Sequence, residues 1–116
     1  MMTAPACTFF LENLQTQLTQ HLSDSSLDVQ RLTRLVGMSR SDLHRKLSQA
    51  TGMSTTEYMR YVRLRRAAEL LLKQPNWSIY QVALEVGFAN ISYFSRRFKE
   101  SFGVCPAAWR QDQTGR

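Results

Sequence analysis

The segment GFANISYFSRRFKESFG, residues 87–103, combines an aromatic stripe with a group of cationic side chains. Its phenylalanines recur every four positions, at Phe94, Phe98 and Phe102. In a helix this spacing places them on one face, while the cations fall on other faces. Asn90 is a suitable N-cap, and Gly103 suits a left-handed helix end. The pattern predicts a helix over residues 91–102 with a buried aromatic face and an exposed cationic face.

A shorter helix is predicted directly before this segment. SIYQVALEVG, residues 78–87, begins with a capping box, because Ser78 is followed three residues later by Gln81. It ends at Gly87, and only a few residues separate it from the helix at residues 91–102. Two helices joined by a tight turn that contains glycine are typical of a helix-turn-helix.

The same pattern occurs earlier in the chain. DVQRLTRLVG, residues 28–37, is followed by GMSRSDLHRKLSQATG, residues 37–52, which predicts a short helix and then a second one capped by Ser39. An offset of fifty pairs Asp28 with Ser78 and Gly37 with Gly87, and an offset of fifty-one pairs Leu43 with Phe94 and Arg45 with Arg96. An internal duplication of a helix-turn-helix explains both offsets.

One long helix is predicted between the two copies. STTEYMRYVRLRRAAELLLKQ, residues 54–74, contains neither Gly nor Pro and is rich in strong helix formers. A first helix is predicted near the start of the chain, in TFFLENLQTQLTQHL, with Thr8 as its cap. A closing helix is predicted in CPAAWRQ, with Pro106 in its first turn. The sequence therefore predicts an all-α fold of about seven helices.

The chain of 116 residues is basic, with fifteen Lys and Arg against nine Asp and Glu and a formal net charge of +6. Such a surface favours a polyanionic partner. The same charge fits a small basic protein that has no such partner, so charge alone does not decide the function.

Catalytic, metal and membrane functions find no support in the sequence. It has no glycine-rich phosphate loop, nucleophile elbow or carboxylate cluster, so we expect it not to be an enzyme. The two cysteines and two histidines lack metal-ligand spacing: Cys7, Cys105, His21 and His44. We therefore expect free thiols and neither metal nor cofactor. No stretch is suited to cross a membrane, so we expect a cytoplasmic protein without a membrane partner.

Three segments carry a resemblance to a known family. GFANISYFSRRFKESFGVCPAAWR, residues 87–110, resembles the C-terminal signature of the AraC/XylS-type transcriptional regulators. GMSRSDLHRKLSQATG and YMRYVRLRRAAELLL are similar to that family's first motif and linker helix. The resemblance implies a DNA-binding domain over residues 8–116, built from homeodomain-like three-helix units. Its parts are a first helix-turn-helix subdomain at 8–53, a linker helix at 54–74 and a second subdomain at 75–116.

The resemblance also implies two recognition helices, at about 40–51 and 91–102, in successive major grooves of double-stranded DNA. The candidate DNA-binding residues are Arg40, Ser41, His44, Arg45, Asn90, Ile91, Ser92, Ser95, Arg96 and Lys99. An arginine can donate two hydrogen bonds to guanine, which favours base contacts by Arg45 and Arg96. A linker of about 20 residues spans about 30 Å, slightly less than the about 34 Å between successive major-groove faces. We therefore expect bent DNA or two unequally seated helices.

Alternatives stay open at several of these positions. Arg96 is a base or phosphate contact or a solvated arginine, and His44 is a base contact or a surface histidine with local partners. Arg97 binds phosphate or packs along the edge of the core. The linker helix carries four arginines, of which some could touch phosphate while most are predicted to lie on a solvated face: Arg60, Arg63, Arg65 and Arg66.

Two positions depart from the family pattern. Ile91 stands where the family often presents a polar side chain, so it touches a thymine methyl or no base at all. Cys105 stands where the family usually has a Ser or Thr cap, so we expect the last helix to be less firmly capped.

The partners that the resemblance implies are double-stranded DNA, RNA polymerase and a sensing domain, fused or separate, that is absent from this chain. The chain is either a stand-alone regulator or a fragment of a longer protein. The alternative function, from a different class, is a helical protein-interaction module that no longer reads DNA.

Overall fold

The computed structural model describes residues 5–114, with side chains for residues 9–113. This part of the chain contains seven helices and no strand, which confirms the predicted all-α fold. The helices are α1 (Pro5–Gln20), α2 (Val29–Val36), α3 (Arg40–Thr51), α4 (Thr55–Lys73), α5 (Ile79–Glu85), α6 (Ile91–Phe102) and α7 (Pro106–Thr114).

The start of α1 differs from the prediction. The helix begins at Pro5, so Thr8 lies within it and is not its N-cap. Proline is favoured at a first helical position, where its missing N–H has no intrahelical partner to lose. The predicted free thiol of Cys7 lies outside the described side chains, whereas Cys105 is a free and exposed cysteine.

The chain divides into two compact units. The first contains residues up to 21 and residues 27–62, and the second contains residues 22–26 and residues from 63 onward. The boundary therefore falls within α4. The division by motif, at residues 53 and 74, stays a prediction.

The core of the first unit is made by leucines of three helices. The fully buried side chains are Leu14 and Leu18 of α1, Leu32 of α2, and Leu43 and Leu47 of α3. Each of these helices contacts the other two. Burial of these five side chains is the main force that holds the three helices together, because α2, of 8 residues, and α3, of 12, are too short to be stable alone.

The core of the second unit is aromatic. Phe94 and Phe98 of α6 are fully buried, as predicted, and their ring centroids lie 5.8 Å apart. Phe102, predicted to be buried with them, is only half-buried because it lies at the last turn of α6. Its ring packs 5.1 Å from that of Trp109 in α7. The phenylalanine stripe therefore fixes α6 within this unit and leaves its other faces outward.

Most helix ends are capped as predicted. The side chain of Ser39 accepts a hydrogen bond from the backbone N–H of Asp42, and the side chain of Asn90 accepts one from the backbone N–H of Tyr93. The capping box of α5 forms between Ser78 and Gln81. Glycines in the left-handed conformation end α2, α3 and α6, at Gly37, Gly52 and Gly103. These caps set where α3 and α6 begin and end.

Candidate nucleic-acid interface

Helix α3 presents its four candidate residues together. Arg40, Ser41, His44 and Arg45 are all exposed, whereas Leu43 and Leu47 of the same helix are buried. The first three of them line a shallow depression, whose other walls come from Val29 and from residues 54–56 at the start of α4. The arrangement offers a cationic and hydroxyl-bearing surface without a deep pocket, which suits a duplex better than a small molecule.

Arg45 is held by a carboxylate on its own helix. Its Nη2 donates to Oδ1 of Asp42 at 2.7 Å, and the two side chains are 57% and 55% exposed. An exposed ion pair of this kind contributes little stability, on the order of 0.3–0.5 kcal/mol for helical pairs. Arg45 is therefore placed on the outer surface of α3 but must leave Asp42 to bind anything else.

His44 has a local neighbour. Its Nε2 lies 3.5 Å from Oγ of Ser48, one turn further along α3, at the limit of a hydrogen bond. The Ser48 hydroxyl also donates to the carbonyl oxygen of Met53 at 3.3 Å. In this structure His44 thus takes the form of a surface histidine with a local partner, and a base contact by His44 stays a prediction.

Helix α6 presents the second set of candidates. Asn90, Ile91, Ser92, Arg96 and Lys99 are exposed, and Ser95 is half-buried. The Oδ1 atom of Asn90 accepts a hydrogen bond from the backbone N–H of Tyr93 at 2.9 Å, so this oxygen caps α6. Ile91 is 37% exposed at the first position of the helix, which leaves an apolar surface where the family often has a polar one.

Tyr93 organises the two arginines of α6. The guanidinium carbon of Arg96 lies 5.4 Å from the centroid of the Tyr93 ring, and that of Arg97 lies 5.3 Å from it. Arg97 also donates to Glu100 at 3.0 Å. Hydrogen bonding to Tyr93, more than the charge of Glu100, raises the pKa of Arg97. Arg97 thus lies against Tyr93 and pairs with Glu100 in this structure, and phosphate binding by Arg97 stays a prediction.

The prediction for the linker arginines is wrong for Arg63, which is buried and not on a solvated face. Its Nη1 donates to the carbonyl oxygens of Leu22 and Val86, at 2.8 and 2.7 Å, and its Nη2 donates to that of Asp24 at 3.3 Å. Burial lowers the pKa of Arg63, and the charge of Asp24 opposes that shift. A planar guanidinium with five donors suits three converging carbonyls.

The other linker arginines stay closer to solvent. Arg65 is exposed, Arg60 is half-buried, and Arg66 donates to Glu69 at 3.0 Å. The sequence contains a signal for the burial of Arg63. The residues that share its helical face are apolar: Met59, Ala67 and Leu70.

Arg110 is a second structural arginine that the sequence analysis missed. It donates from Nε to the carbonyl oxygen of Leu71 at 2.9 Å, from Nη1 to that of Trp77 at 2.8 Å and from Nη2 to that of Gln74 at 3.2 Å. Leu71 lies in the last turn of α4, where carbonyl groups have no intrahelical partner, and Gln74 and Trp77 lie in the segment after the helix. Arg110 thereby joins α7 to the segment that leads into the second helix-turn-helix.

Two features of the described residues bear on other functions. Residues 5–114 contain no group of three or more His, Cys, Asp or Glu that could hold a metal ion. Among the same residues, none of the helices is both long and apolar enough to cross a membrane.

Comparison with known proteins agrees with this geometry. A family profile described as a helix-turn-helix domain matches residues 32–112. The transcriptional activator RhaR of Pectobacterium atrosepticum is 42% identical over 69 residues, which cover 60% of this chain and 24% of that protein. The chain spans about a third of the length of curated relatives that it matches over most of its own length.

Two solved structures share the fold. One is a transcriptional regulator from Chromobacterium violaceum with an AraC-type DNA-binding domain, at a TM-score of 0.83 and 26% identity, covering 96% of this chain and 97% of that one. The other is the DNA-binding domain of AdpA in complex with a target DNA, at a TM-score of 0.78 and 25% identity, covering 91% and 96%. This chain therefore belongs to the AraC-type helix-turn-helix family, whose members are DNA-binding transcription regulators.

Proposed function

We propose that this chain binds double-stranded DNA sequence-specifically through α3 and α6, and that the protein regulates transcription by doing so. One observation carries the proposal. Each of the two helices is the second of a helix-turn-helix pair, is anchored by a buried apolar face, and presents an exposed arginine at the same position of the repeat, Arg45 or Arg96. This is the arrangement by which a recognition helix enters a major groove.

The proposed contacts divide into two kinds. Arg45 and Arg96 are the proposed base readers, because a guanidinium can bind both acceptors of a guanine edge. The polar and cationic side chains around them are proposed to bind phosphates or neighbouring base edges: Arg40, Ser41, His44, Asn90, Ser92, Ser95 and Lys99. Ile91 is proposed to contact a thymine methyl. Phosphate contacts position the protein on the duplex, and base contacts specify the sequence.

The proposal extends to the protein that contains this domain. A relative of similar sequence bears the name of a transcriptional activator, which supports activation and hence contact with RNA polymerase. Curated relatives are about three times as long as the matched domain, which supports a sensing domain outside this chain. A regulator of this kind works on DNA in the cytoplasm, and its activity is binding and not catalysis.

A helical protein-interaction module remains the second candidate. It is favoured by one observation, the exposure of Tyr80 and Leu84 one turn apart on α5, at 53% and 42%. Exposed apolar groups on one helical face are a feature of protein-binding surfaces. They lie on the helix that precedes α6, so this surface is compatible with DNA binding by α6.

Titration of the chain with random-sequence duplexes over a range of salt concentrations separates the two candidates. DNA binding through several phosphates predicts a linear fall of log affinity with log salt, with a slope of about −0.9 for each phosphate neutralised. A fraction of the duplexes should stay bound at salt concentrations that release the rest. Absence of binding at low salt would favour the protein-interaction module.

A further inference from the structure

The two proposed base-reading arginines are held differently by the residue three positions before them. In the duplication, the offset of fifty-one that pairs Arg45 with Arg96 also pairs Asp42 with Tyr93. Asp42 holds Arg45 through an ion pair of 2.7 Å. Tyr93 holds Arg96 through the face of its ring, at 5.4 Å from the centroid. The same position of the repeat thus carries a negative charge in one motif and a neutral aromatic ring in the other.

The carboxylate of Asp42 changes which DNA groups Arg45 can bind. To leave Asp42, the guanidinium must exchange one charged acceptor for another partner. A single phosphate is an anion, so it replaces the lost charge but is repelled by Asp42 itself, which lies one helical turn away on the same face. A guanine edge is uncharged and offers two acceptors, so Arg45 can bind it without repulsion between Asp42 and the DNA group.

We propose that Asp42 is a specificity-determining residue of the first helix-turn-helix. Its carboxylate disfavours use of Arg45 as a phosphate ligand and thereby keeps that arginine for a base edge. The inference rests on the proposed function, because it assumes that α3 and α6 lie against DNA. The second motif differs in this respect, since the ring of Tyr93 is uncharged and does not repel a phosphate beside Arg96.

Asp42→Asn tests this inference, with Glu100→Gln as a matched control. Both substitutions remove one negative charge from an exposed carboxylate that pairs with an arginine three residues away on a recognition helix. The control pair, Glu100 with Arg97, lies outside the proposed base-reading set. Affinity is measured for a selected duplex and for a scrambled duplex at one salt concentration.

Asp42→Asn should raise affinity for the scrambled duplex by about two- to five-fold, the range that exposed ion pairs support. Affinity for the selected duplex should change less, so the ratio between the two falls. Glu100→Gln should raise both affinities alike and leave their ratio unchanged. An equal rise on both duplexes for Asp42→Asn, as for Glu100→Gln, would overturn the inference.

Two further variants exclude a general effect of charge or of folding. Asp42→Glu keeps the negative charge at this position and should keep the wild-type ratio. In an Arg45→Ala background the effect of Asp42→Asn on the ratio should vanish, because no arginine is left to redirect. Persistence of the effect without Arg45 would contradict the inference. A wild-type chain that binds both duplexes equally would instead overturn the proposed function.

Discussion

Arginine side chains take two distinct environments in this chain, and the environment decides what each can do. Arg63 lies buried against backbone carbonyl oxygens, so its substitution would act on folding. Arg45 and Arg96 are exposed, and Asp42 and Tyr93 on their own helices hold them, so they can exchange those neighbours for DNA. The apolar helical face that Arg63 shares with its neighbours indicates its burial, but it does not identify the carbonyl oxygens that Arg63 contacts.

Arg96→Ala and Lys99→Ala should affect DNA binding in different ways. Arg96 is proposed to read a base, so its loss should relax the preference at one base pair, with a cost of about 1–3 kcal/mol on the preferred sequence. Lys99 is proposed to bind phosphate, so its loss should weaken binding to all sequences alike and reduce the salt slope by about 1. Binding of a panel of single-base operator variants distinguishes the two patterns. If neither substitution changes binding, the assignment of α6 is wrong.

At the scale of elements, the turn between α5 and α6 depends on Gly87. This residue has a φ of 89°, and a Cβ atom there would overlap the Arg63 guanidinium and the carbonyl oxygen of Leu22. The turn is therefore constrained both by its own backbone and by a buried arginine from α4. Because α6 follows this turn directly, its orientation within the second unit depends on the same contact.

Gly87→Ala should destabilise the chain far more than Gly37→Ala. Gly37 also has a positive φ, of 69°, but a Cβ atom there would meet nothing within 4 Å. Gly37→Ala should therefore lower the free energy of unfolding only by the backbone strain, about 1–2 kcal/mol. Gly87→Ala adds displacement of Arg63 from its carbonyl acceptors, each worth about 1.5–3 kcal/mol when the donor is charged. Urea unfolding of both variants measures the difference, and equal costs would contradict the role given to Arg63.

The start of α4 predicts a pH dependence of stability. The backbone N–H of Ser54 donates to Oε1 of Glu57 at 2.9 Å, and that of Glu57 donates to Oγ of Ser54 at 3.1 Å. Hydrogen bonding to Ser54 is the main cause that lowers the pKa of Glu57. The charged form is therefore favoured by folding, and its contribution is present above about pH 4.3, the ordinary value for glutamate. It is lost as the pH falls through the lowered pKa.

Glu57→Gln keeps an acceptor for the Ser54 N–H but removes the charge that titrates. The wild type should be more stable than this variant at pH 6, and the difference should shrink as the pH falls below 4. Denaturant unfolding of both proteins at several pH values measures that difference. A difference that does not change with pH would show that Glu57 has the same pKa in the folded and unfolded chain.

Local signals predicted most of the elements, and long-range contacts account for what was missed. Caps such as Ser39 and Asn90 act on backbone groups two or three residues away, so the sequence is sufficient to place them. The acceptors of Arg63 lie 41 and 23 residues away, so only the folded chain brings them together. The candidate DNA-binding residues were found through the repeat and the family resemblance, and their exposure agrees with their proposed role.

For the molecule as a whole, we propose that one chain reads DNA at two places, through α3 and α6. Its net charge of +6 supports association with a polyanion, and the duplicated motif supports two sets of base contacts. Each unit contributes one proposed base-reading arginine. We expect the two sets of base contacts to lie in successive major grooves of one duplex, and this expectation is tested by the spacing of the preferred base pairs.

Selection of bound duplexes from a random-sequence pool tests this account most directly, with Arg45→Ala and Arg96→Ala selected in parallel. The account predicts two blocks of preferred base pairs whose centres lie about one helical turn, 10–10.5 base pairs, apart. Arg45→Ala should flatten one block and Arg96→Ala the other. A pool without enrichment, or a single block that both substitutions weaken alike, would contradict the claim that one chain carries two reading helices.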